Sequence, residues 1–230
     1  MTDKRLIMLD TETTGIKPEE GHRVIEIGAV VLSNRQLTDE IYHQYINPEF
    51  AVEQEALQVH GISNEFLQDK PKFHEVMVDF MTFIEGAVLV MHNAPFDVKF
   101  LNNELRLCGY GQQLEQVSEV VDSLVIAKQK HPGARNNLDA LCKRYGISNA
   151  HRTLHGALLD AQILAQVYLA MTGGQMGLNL NQDGDQNDTG LQFDLSQLPA
   201  LKTIEASQQE LQAHQSWVSK NLPQDPFKTS

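Results

Sequence analysis

The chain has 230 residues, is 41% apolar and carries a formal net charge of −12. This length and apolar content suffice for one folded domain with an appendage, and the acidity disfavours a protein that grips nucleic acid by charge alone, because non-specific affinity comes mostly from neutralised phosphates. No apolar stretch approaches the ~18 residues of a membrane span, and the two cysteines, which have no CxxC spacing, exclude a disulfide framework and a zinc site. We therefore predict a soluble cytoplasmic protein without membrane contact.

Apolar patterning along the chain predicts three strands, followed by helices with one further strand between them. The predicted strands are 5–10, 24–32, 40–46 and 87–91, and the predicted helices are 73–84, 96–107, 138–145 and 156–171. The second strand is almost entirely apolar, so we expect it to lie centrally in a sheet. This order is typical of an α/β layered domain, which we predict to cover residues 1–172.

The first strand leads into the sequence MLDTETTG at residues 8–15. Side chains at i and i+2 of a strand point the same way, so Asp10 and Glu12 share a face with Leu6 and Met8. Two like charges that leave a core on one face must be hydrated, protonated or neutralised by a cation. Acids after a strand are also ordinary turn residues, so this pair does not decide the matter by itself.

Two predicted helices carry an acid on the stripe that should face the core. Asp97 is followed at helical spacing by the apolar residues Phe100 and Leu101, and Asp160 by Ile163 and Leu164. A salt bridge to an arginine would account for either acid alone. Together with the strand pair, the two acids favour one shared cation site, and hard carboxylate oxygens select Mg²⁺ or Mn²⁺.

A histidine precedes the last of these helices. His155 is five residues before Asp160, about 140° around an ideal helix, so it cannot share the face of the carboxylate if both are helical. We therefore expect it on the turn that leads into the helix. There it is either a simple loop residue or, beside metal ions, a base for a water molecule near pH 7.

Three segments resemble the motifs of a known family. DTETTG at 10–15, HNAPFD at 92–97 and HGALLD at 155–160 are similar, in this order, to the three motifs of the DEDDh exonuclease superfamily. Longer stretches, among them EALQVHGIS, narrow the resemblance to the proofreading epsilon subunits of bacterial DNA polymerase III. The resemblance is close over residues 6–175. It implies a ribonuclease-H-like fold, with a mixed sheet flanked by helices, and 3′ to 5′ hydrolysis of DNA ends to nucleoside 5′-monophosphates.

The same resemblance implies roles for individual residues. Four carboxylates would hold two divalent ions, Mg²⁺ or Mn²⁺, and a histidine would act as general base. Two further residues, together with three of the carboxylates, would contact the terminal nucleotide. The implied metal ligands are Asp10, Glu12, Asp97 and Asp160, the implied base is His155, and the implied substrate-binding residues are Glu55 and His60 together with Asp10, Glu12 and Asp160. Glu55 also suits a helix surface, and His60 before a glycine also suits a helix C-terminus.

The composition changes abruptly after residue 172. Residues 173–194 are rich in Gly, Asn, Gln and Asp and predict a flexible linker. Within it Gln175, Leu178 and Leu180 resemble the pattern of bacterial sliding-clamp-binding peptides. The alternative for these residues is plain linker sequence.

Residues 195–230 regain apolar character, and Ser207 with Glu210 predicts a capping box for a short helix that carries Leu211 and Trp217. So short a segment cannot build a core alone. The resemblance nominates the polymerase's catalytic alpha subunit as its partner, and it leaves a small theta-like accessory subunit open. A tail that packs loosely on its own domain is the alternative.

Two other functions fit parts of this pattern. A DEDDh nuclease that trims RNA would carry the same five chemical residues. A non-catalytic binding module would keep the fold and lose carboxylates, whereas all five positions are filled here.

Overall fold

The computed structural model describes residues 5–149, 154–173 and 207–221. These residues belong to two units, one comprising the described residues up to 173 and the other residues 207–221. The predicted clamp-binding peptide, most of the predicted linker and both ends of the predicted tail lie outside the described residues. The domain boundaries at 172 and 194 therefore stay a prediction.

The first unit is built on a five-stranded mixed sheet. The strands are β1 (Leu6–Thr13), β2 (Val24–Ser33), β3 (Gln36–Tyr45), β4 (Val88–Met91) and β5 (Glu119–Asp122). Their order is β3-β2-β1-β4-β5. The pairs β1–β2 and β2–β3 are antiparallel, whereas β1–β4 and β4–β5 are parallel. The predicted mixed sheet and the central position of β2 beside β1 are confirmed.

Eight helices of the described residues cover or border this sheet. They are α1 (Gln54–His60), α2 (Asn64–Leu67), α3 (Phe73–Ile84), α4 (Ala94–Leu107), α5 (Leu114–Val117), α6 (Ser123–Lys130), α7 (Leu138–Tyr145) and α8 (Ala157–Thr172). The predicted bounds of α3 and α7 are confirmed, and α8 is displaced by one residue. The predicted start of α4 at residue 96 is wrong by two residues, because Asn93 adopts a left-handed φ of 73° and the helix begins directly after it.

Two strands are longer than the sequence predicts. β1 continues to Thr13, with Asp10 paired with Gly28 and Glu12 with Glu26 of β2, so Glu12 also lies within the strand rather than after it. β3 begins at residue 36 instead of 40. It forms an edge hairpin with β2 through a two-residue turn, in which Asn34 and Arg35 have φ of 50° and 60°. The elements β5, α2, α5 and α6 are not predicted by the sequence patterns.

The two faces of the sheet carry separate apolar cores. One face of β1 contributes Ile7 and Leu9 to a core shared with α3 and α4. The opposite face contributes Met8 to a core shared with α7 and α8. Since side chains alternate along a strand, Asp10 and Glu12 continue the face of Met8 towards α8.

In the second unit the described residues form one helix, α9 (Gln208–Asn221). The predicted capping box is confirmed: Glu210 N–H donates to Ser207 Oγ (3.3 Å), and Ser207 N–H donates to Glu210 Oε2 (2.8 Å). Trp217 is 57% exposed and Leu211 is 51% exposed. Among all the residues that the structure describes, no helix is long and apolar enough to cross a membrane.

Candidate active site

The carboxyl end of β1 supplies the first two predicted site residues. Glu12 is buried and Asp10 is half-buried. Both follow Met8 on the face that α8 covers. Because the strand continues through both residues, the side chains of Asp10 and Glu12 point in the same direction, as their spacing predicted.

The amino end of α8 packs directly on β2, the strand next to β1. A Cβ atom at Gly28 would come within 2.2 Å of the backbone of Ala157 and Leu158, so only glycine allows the helix to begin there. The helix then presents Asp160, which is buried, on its face towards β1. Gly28 and Asp10 are paired across the two strands, which brings the start of α8 next to the acids of β1.

His155 lies on the turn before α8, as predicted. Its Nδ1 is 3.3 Å from Oδ2 of Asp160. Its backbone N–H donates to the carbonyl of Val59 at 3.0 Å, which ties this turn to α1. One potential ligand atom each of Glu12, His155 and Asp160 lies within 4.8 Å of the others.

Asp97 reaches the same place from the other side of β1. It lies in the first turn of α4, and its Oδ1 accepts from the backbone N–H (3.1 Å) and the hydroxyl (2.7 Å) of Thr11. The side chain is buried, and this burial raises the pKa of Asp97 from 3.8 to about 7, although the bonds from Thr11 act in the opposite direction. A carboxylate that is costly to ionise in isolation fits a position next to a cation. The donor set at this end of β1 therefore fits a divalent ion.

All five residues of the predicted chemistry line one cavity of about 260 Å³: Asp10, Glu12, Asp97, His155 and Asp160. The structure thus brings together the residues that the sequence nominated, although their catalytic and metal-binding roles stay predictions. His92, Asn93 and Asn137 also line this cavity, and no role was predicted for them.

His92 is held by residues near the end of β4. Its Nδ1 lies 2.9 Å from Ser123 Oγ, which also donates to the carbonyl of Met91 at 3.0 Å. Its Nε2 is buried and makes no close hydrogen bond to the described residues, although the backbone carbonyl of Asn136 is near the ring. Burial lowers the pKa of His92, which agrees with a neutral ring. The histidine of HNAPFD was the sequence signal that could have identified this side chain.

A second cavity of about 220 Å³ adjoins the first. Thr11, Glu12 and Phe96 line both cavities. The predicted substrate-binding residues Glu55 and His60 line the second cavity, together with apolar side chains that include Ile16 and Val59. Glu55 is exposed near the start of α1, whereas His60 is buried at the end of that helix.

His60 is held in one orientation by its own turn. Its Nδ1 accepts from the backbone N–H of Ile62 at 3.0 Å, and burial lowers the pKa of its ring. A neutral ring that accepts at Nδ1 carries its proton at Nε2. This buried Nε2 makes no close hydrogen bond within the part of the chain that the structure describes, and the backbone carbonyl of Thr13 near the ring favours a proton on it, so a ligand in the second cavity would meet a donor there.

The family of the chain follows from its sequence together with this geometry. The sequence matches the family described as Exonuclease over residues 7–168, a segment that contains every residue of both cavities. The chain belongs to this exonuclease family. The predicted activity, hydrolysis of nucleic acid from a 3′ end, is confirmed by this membership.

The relatives of this exonuclease narrow the family further. The DNA polymerase III subunit epsilon of Rickettsia typhi is 45% identical over 228 residues, which cover 97% of this chain and 100% of the relative. The DNA polymerase III subunits epsilon of Salmonella typhimurium and Escherichia coli are each 48% identical over 221 residues, covering 92% of this chain and 91% of theirs. The exonuclease thus belongs with the DNA polymerase III epsilon subunits, and the resemblance found in the sequence is confirmed.

Solved structures agree on the fold of this exonuclease. The nuclease domain of 3′hExo, described as a DEDDh family member bound to rAMP, superposes with a TM-score of 0.63 at 21% identity, over 74% of this chain and 92% of that one. Exonuclease X in complex with 5′ overhanging duplex DNA gives a TM-score of 0.56 at 21% identity, over 72% and 90% of the two chains. These likenesses confirm the predicted ribonuclease-H-like exonuclease fold.

Proposed function

We propose that this exonuclease is the proofreading subunit of a bacterial replicative DNA polymerase. It removes mispaired nucleotides from the 3′ end of DNA and releases them as nucleoside 5′-monophosphates. The observation that carries the proposal is the meeting of four carboxylates and one histidine around a single cavity. The polymerase context is supported by the printed names of relatives that match nearly the whole chain.

Asp10, Glu12, Asp97 and Asp160 are proposed as the ligands of two divalent ions, Mg²⁺ or Mn²⁺. Their donor set consists of carboxylate oxygens, which suit these hard ions. The raised pKa of buried Asp97, about 7, supports the proposal because an adjacent cation would restore its ionised form. When bound, such ions stabilise the charge on the attacking and leaving oxygens of a phosphodiester.

His155 is proposed as the general base. Its side chain is 45% exposed, so water can reach it. Asp160 Oδ2, 3.3 Å from Nδ1, favours the tautomer with its proton on Nδ1 and leaves Nε2 as the basic nitrogen. In this role His155 takes a proton from the attacking water while Asp160 keeps the ring oriented.

The terminal nucleotide is proposed to occupy the second cavity. Its apolar wall of Ile16, Val59 and Phe96 suits a base and a sugar, and the buried Nε2–H of His60 suits an acceptor oxygen. Glu55 also lines this cavity. Because Glu12 borders both cavities, a nucleotide in the second places its phosphate in the first, where Asp10, Glu12 and Asp160 face it.

The partners of the chain are proposed from the resemblance of segments that mostly lie outside the described residues. Gln175, Leu178 and Leu180 would bind the sliding clamp, and residues 195–230 would bind the polymerase's alpha subunit in the cytoplasm. The exposed Trp217 on α9 supports a docking role, since aromatic side chains are typical anchors of protein interfaces. A tether of this kind keeps the nuclease at high local concentration near the primer end.

The test compares substrates on the full chain with Mg²⁺ or Mn²⁺ present. A primer with a mismatched 3′ terminus should release nucleoside monophosphates faster than a paired primer, and short RNA should be a poor substrate. The Asp160→Ala variant is the control for contaminating nucleases. Faster digestion of RNA than of DNA would instead assign the chain to RNA trimming, and no digestion of either would reject the proposed activity.

A further inference from the structure

A fifth acid lies beside the proposed metal ligands. Glu26 is buried in β2 and pairs directly across the strands with Glu12. It shares the face of Gly28 and Val30, which is the face that α8 covers. Its position alone would suit another ligand for a cation.

The contacts of Glu26 give it a different role. Its Oε2 accepts from the backbone N–H of Ala157 at 3.1 Å, and its Oε1 lies 2.7 Å from Nε2 of His43 on β3. Ala157 is the first residue of α8, where backbone N–H groups have no partner within the helix. An acidic side chain there also interacts favourably with the helix dipole. Both oxygens of Glu26 are thus engaged by the helix end and by β3.

This anchor is close in sequence to the residues of the proposed chemistry. Ala157 follows His155 by two residues and precedes Asp160 by three. We infer that Glu26 is a positioning residue: by holding the first turn of α8 against β2, it sets the placement of His155 and Asp160 for the proposed reaction. This inference rests on the proposed function, since it concerns the same site.

The opposite end of α8 provides a natural control. Arg35, in the turn between β2 and β3, donates from its guanidinium to the carbonyl of Leu169 (2.9 Å) and to Oγ1 of Thr172 (3.2 Å). The hairpin of β2 and β3 therefore contacts both ends of α8. Its glutamate binds the amino end and its arginine binds the carboxyl end. Ala157 is 12 residues from Leu169 and 15 from Thr172, so the two anchors are about 18 to 23 Å apart along α8. Loss of Arg35 should loosen the helix far from the cavity.

Three variants of the full chain separate positioning from general stability. Glu26→Ala removes the hydrogen bonds to Ala157 and His43, and with them the interaction with Tyr45 of β3. Glu26→Gln keeps an oxygen for Ala157 N–H, and its amide can donate to His43 in the other tautomer. Arg35→Asn removes the distant anchor, and asparagine tolerates the positive φ of this position. Thermal unfolding measures what each change does to the whole fold.

Kinetics on a labelled single-stranded oligodeoxynucleotide give the first readout. We expect Glu26→Ala to lower kcat about 10- to 100-fold, because misplacement of catalytic groups by about 1 Å has effects of this size, while KM stays near that of the wild type. Glu26→Gln should keep most of kcat. Arg35→Asn should lower the melting temperature but leave kcat unchanged. Equal kcat in Glu26→Ala and wild type, or equal losses in Glu26→Ala and Arg35→Asn, would overturn the inference.

The imidazole ¹H–¹⁵N signals of the ion-free protein give a second readout that needs no activity. The His155 signal, assigned with His155→Gln, should move in Glu26→Ala and stay in place in Glu26→Gln and Arg35→Asn. Mn²⁺ titration excludes the rival role: weaker Mn²⁺ binding by Glu26→Gln would make Glu26 a ligand and refute positioning. An inactive wild type would refute the proposed function, whereas an unmoved His155 signal would refute the inference.

Discussion

Replacement of Asp97 by asparagine should have opposite effects on activity and on the stability of the ion-free protein. Asparagine has the shape of aspartate, and its Oδ1 can keep both hydrogen bonds from Thr11. It cannot ionise and is a weaker ligand for a hard cation. We therefore expect Asp97→Asn to be almost inactive but well folded.

The stability effect follows from the raised pKa of Asp97. In the ion-free folded chain this pKa is about 7, against an ordinary value of 3.8 in the unfolded chain. Between these values the folded state holds a proton that the unfolded state has lost, so the free energy of unfolding decreases as pH rises. Each pH unit in this window corresponds to about 1.4 kcal/mol, so the wild type loses about 3 kcal/mol between pH 5 and pH 8, where the carboxyl group has finished ionising. Above pH 8 the loss stays constant.

Thermal unfolding in the presence of a chelator measures this difference. The quantity to compare is the melting temperature of Asp97→Asn minus that of the wild type. This difference should be roughly 6 to 12 °C larger at pH 8 than at pH 5, because 1 kcal/mol shifts the midpoint by about 2 to 4 °C in a protein of this size. Asp69→Asn makes the same chemical change at an exposed turn and should follow the wild type. Added Mg²⁺ should restore the wild type but not Asp97→Asn. Parallel pH dependence in all three proteins would refute this account of Asp97.

The other proposed roles give four further predictions. His155→Ala should slow hydrolysis about 10²- to 10⁴-fold, since a general base contributes this much, while calorimetry should still detect Mn²⁺ binding. An unchanged rate would show that His155 is not the general base. Asp160→Ala should abolish most turnover without changing the circular dichroism spectrum. A chelator added to the wild type should cause the same loss of turnover. Deletion of 191–230 should leave mononucleotide release intact but abolish co-elution with the polymerase subunit, and loss of hydrolysis would contradict this division. Gln175→Ala with Leu178→Ala should weaken clamp binding in a direct assay, because the predicted peptide loses its contacts.

Local patterns in the sequence predicted those parts of the fold where burial is periodic. The bounds of α3 and α7 follow from their apolar stripes, and the acids Asp97 and Asp160 were identified because they interrupt such stripes. β3 was predicted too short because it is an edge strand whose side chains are mostly exposed and lack a regular alternation. β5 has four residues, like β4, but it has an acid at each end and is not buried, so no apolar run makes it stand out.

The contacts of the site could not be predicted in the same way, because they join distant parts of the chain. Asp97 is 86 residues from Thr11, and Glu26 is 131 residues from Ala157. A lone glutamate in an apolar strand is compatible with an ion, a salt bridge or a helix end. No role was predicted for Glu26, because its pairing with a helix end depends on the packing of α8 on β2.

Three buried acids of this protein differ in the groups that hydrogen-bond to their carboxylates. Buried Glu104 accepts two charged hydrogen bonds from Arg23, at 2.7 and 2.6 Å, which is the salt bridge that any buried acid could have had. Glu26 is satisfied by the start of α8 and by His43. The hydrogen bonds given to Asp97 by the described residues come from Thr11, whose donors are neutral, and its pKa rises accordingly. Its charge is the one that the surrounding protein does not offset, and this singles out Asp97 among the three as the carboxylate that an ion would stabilise most.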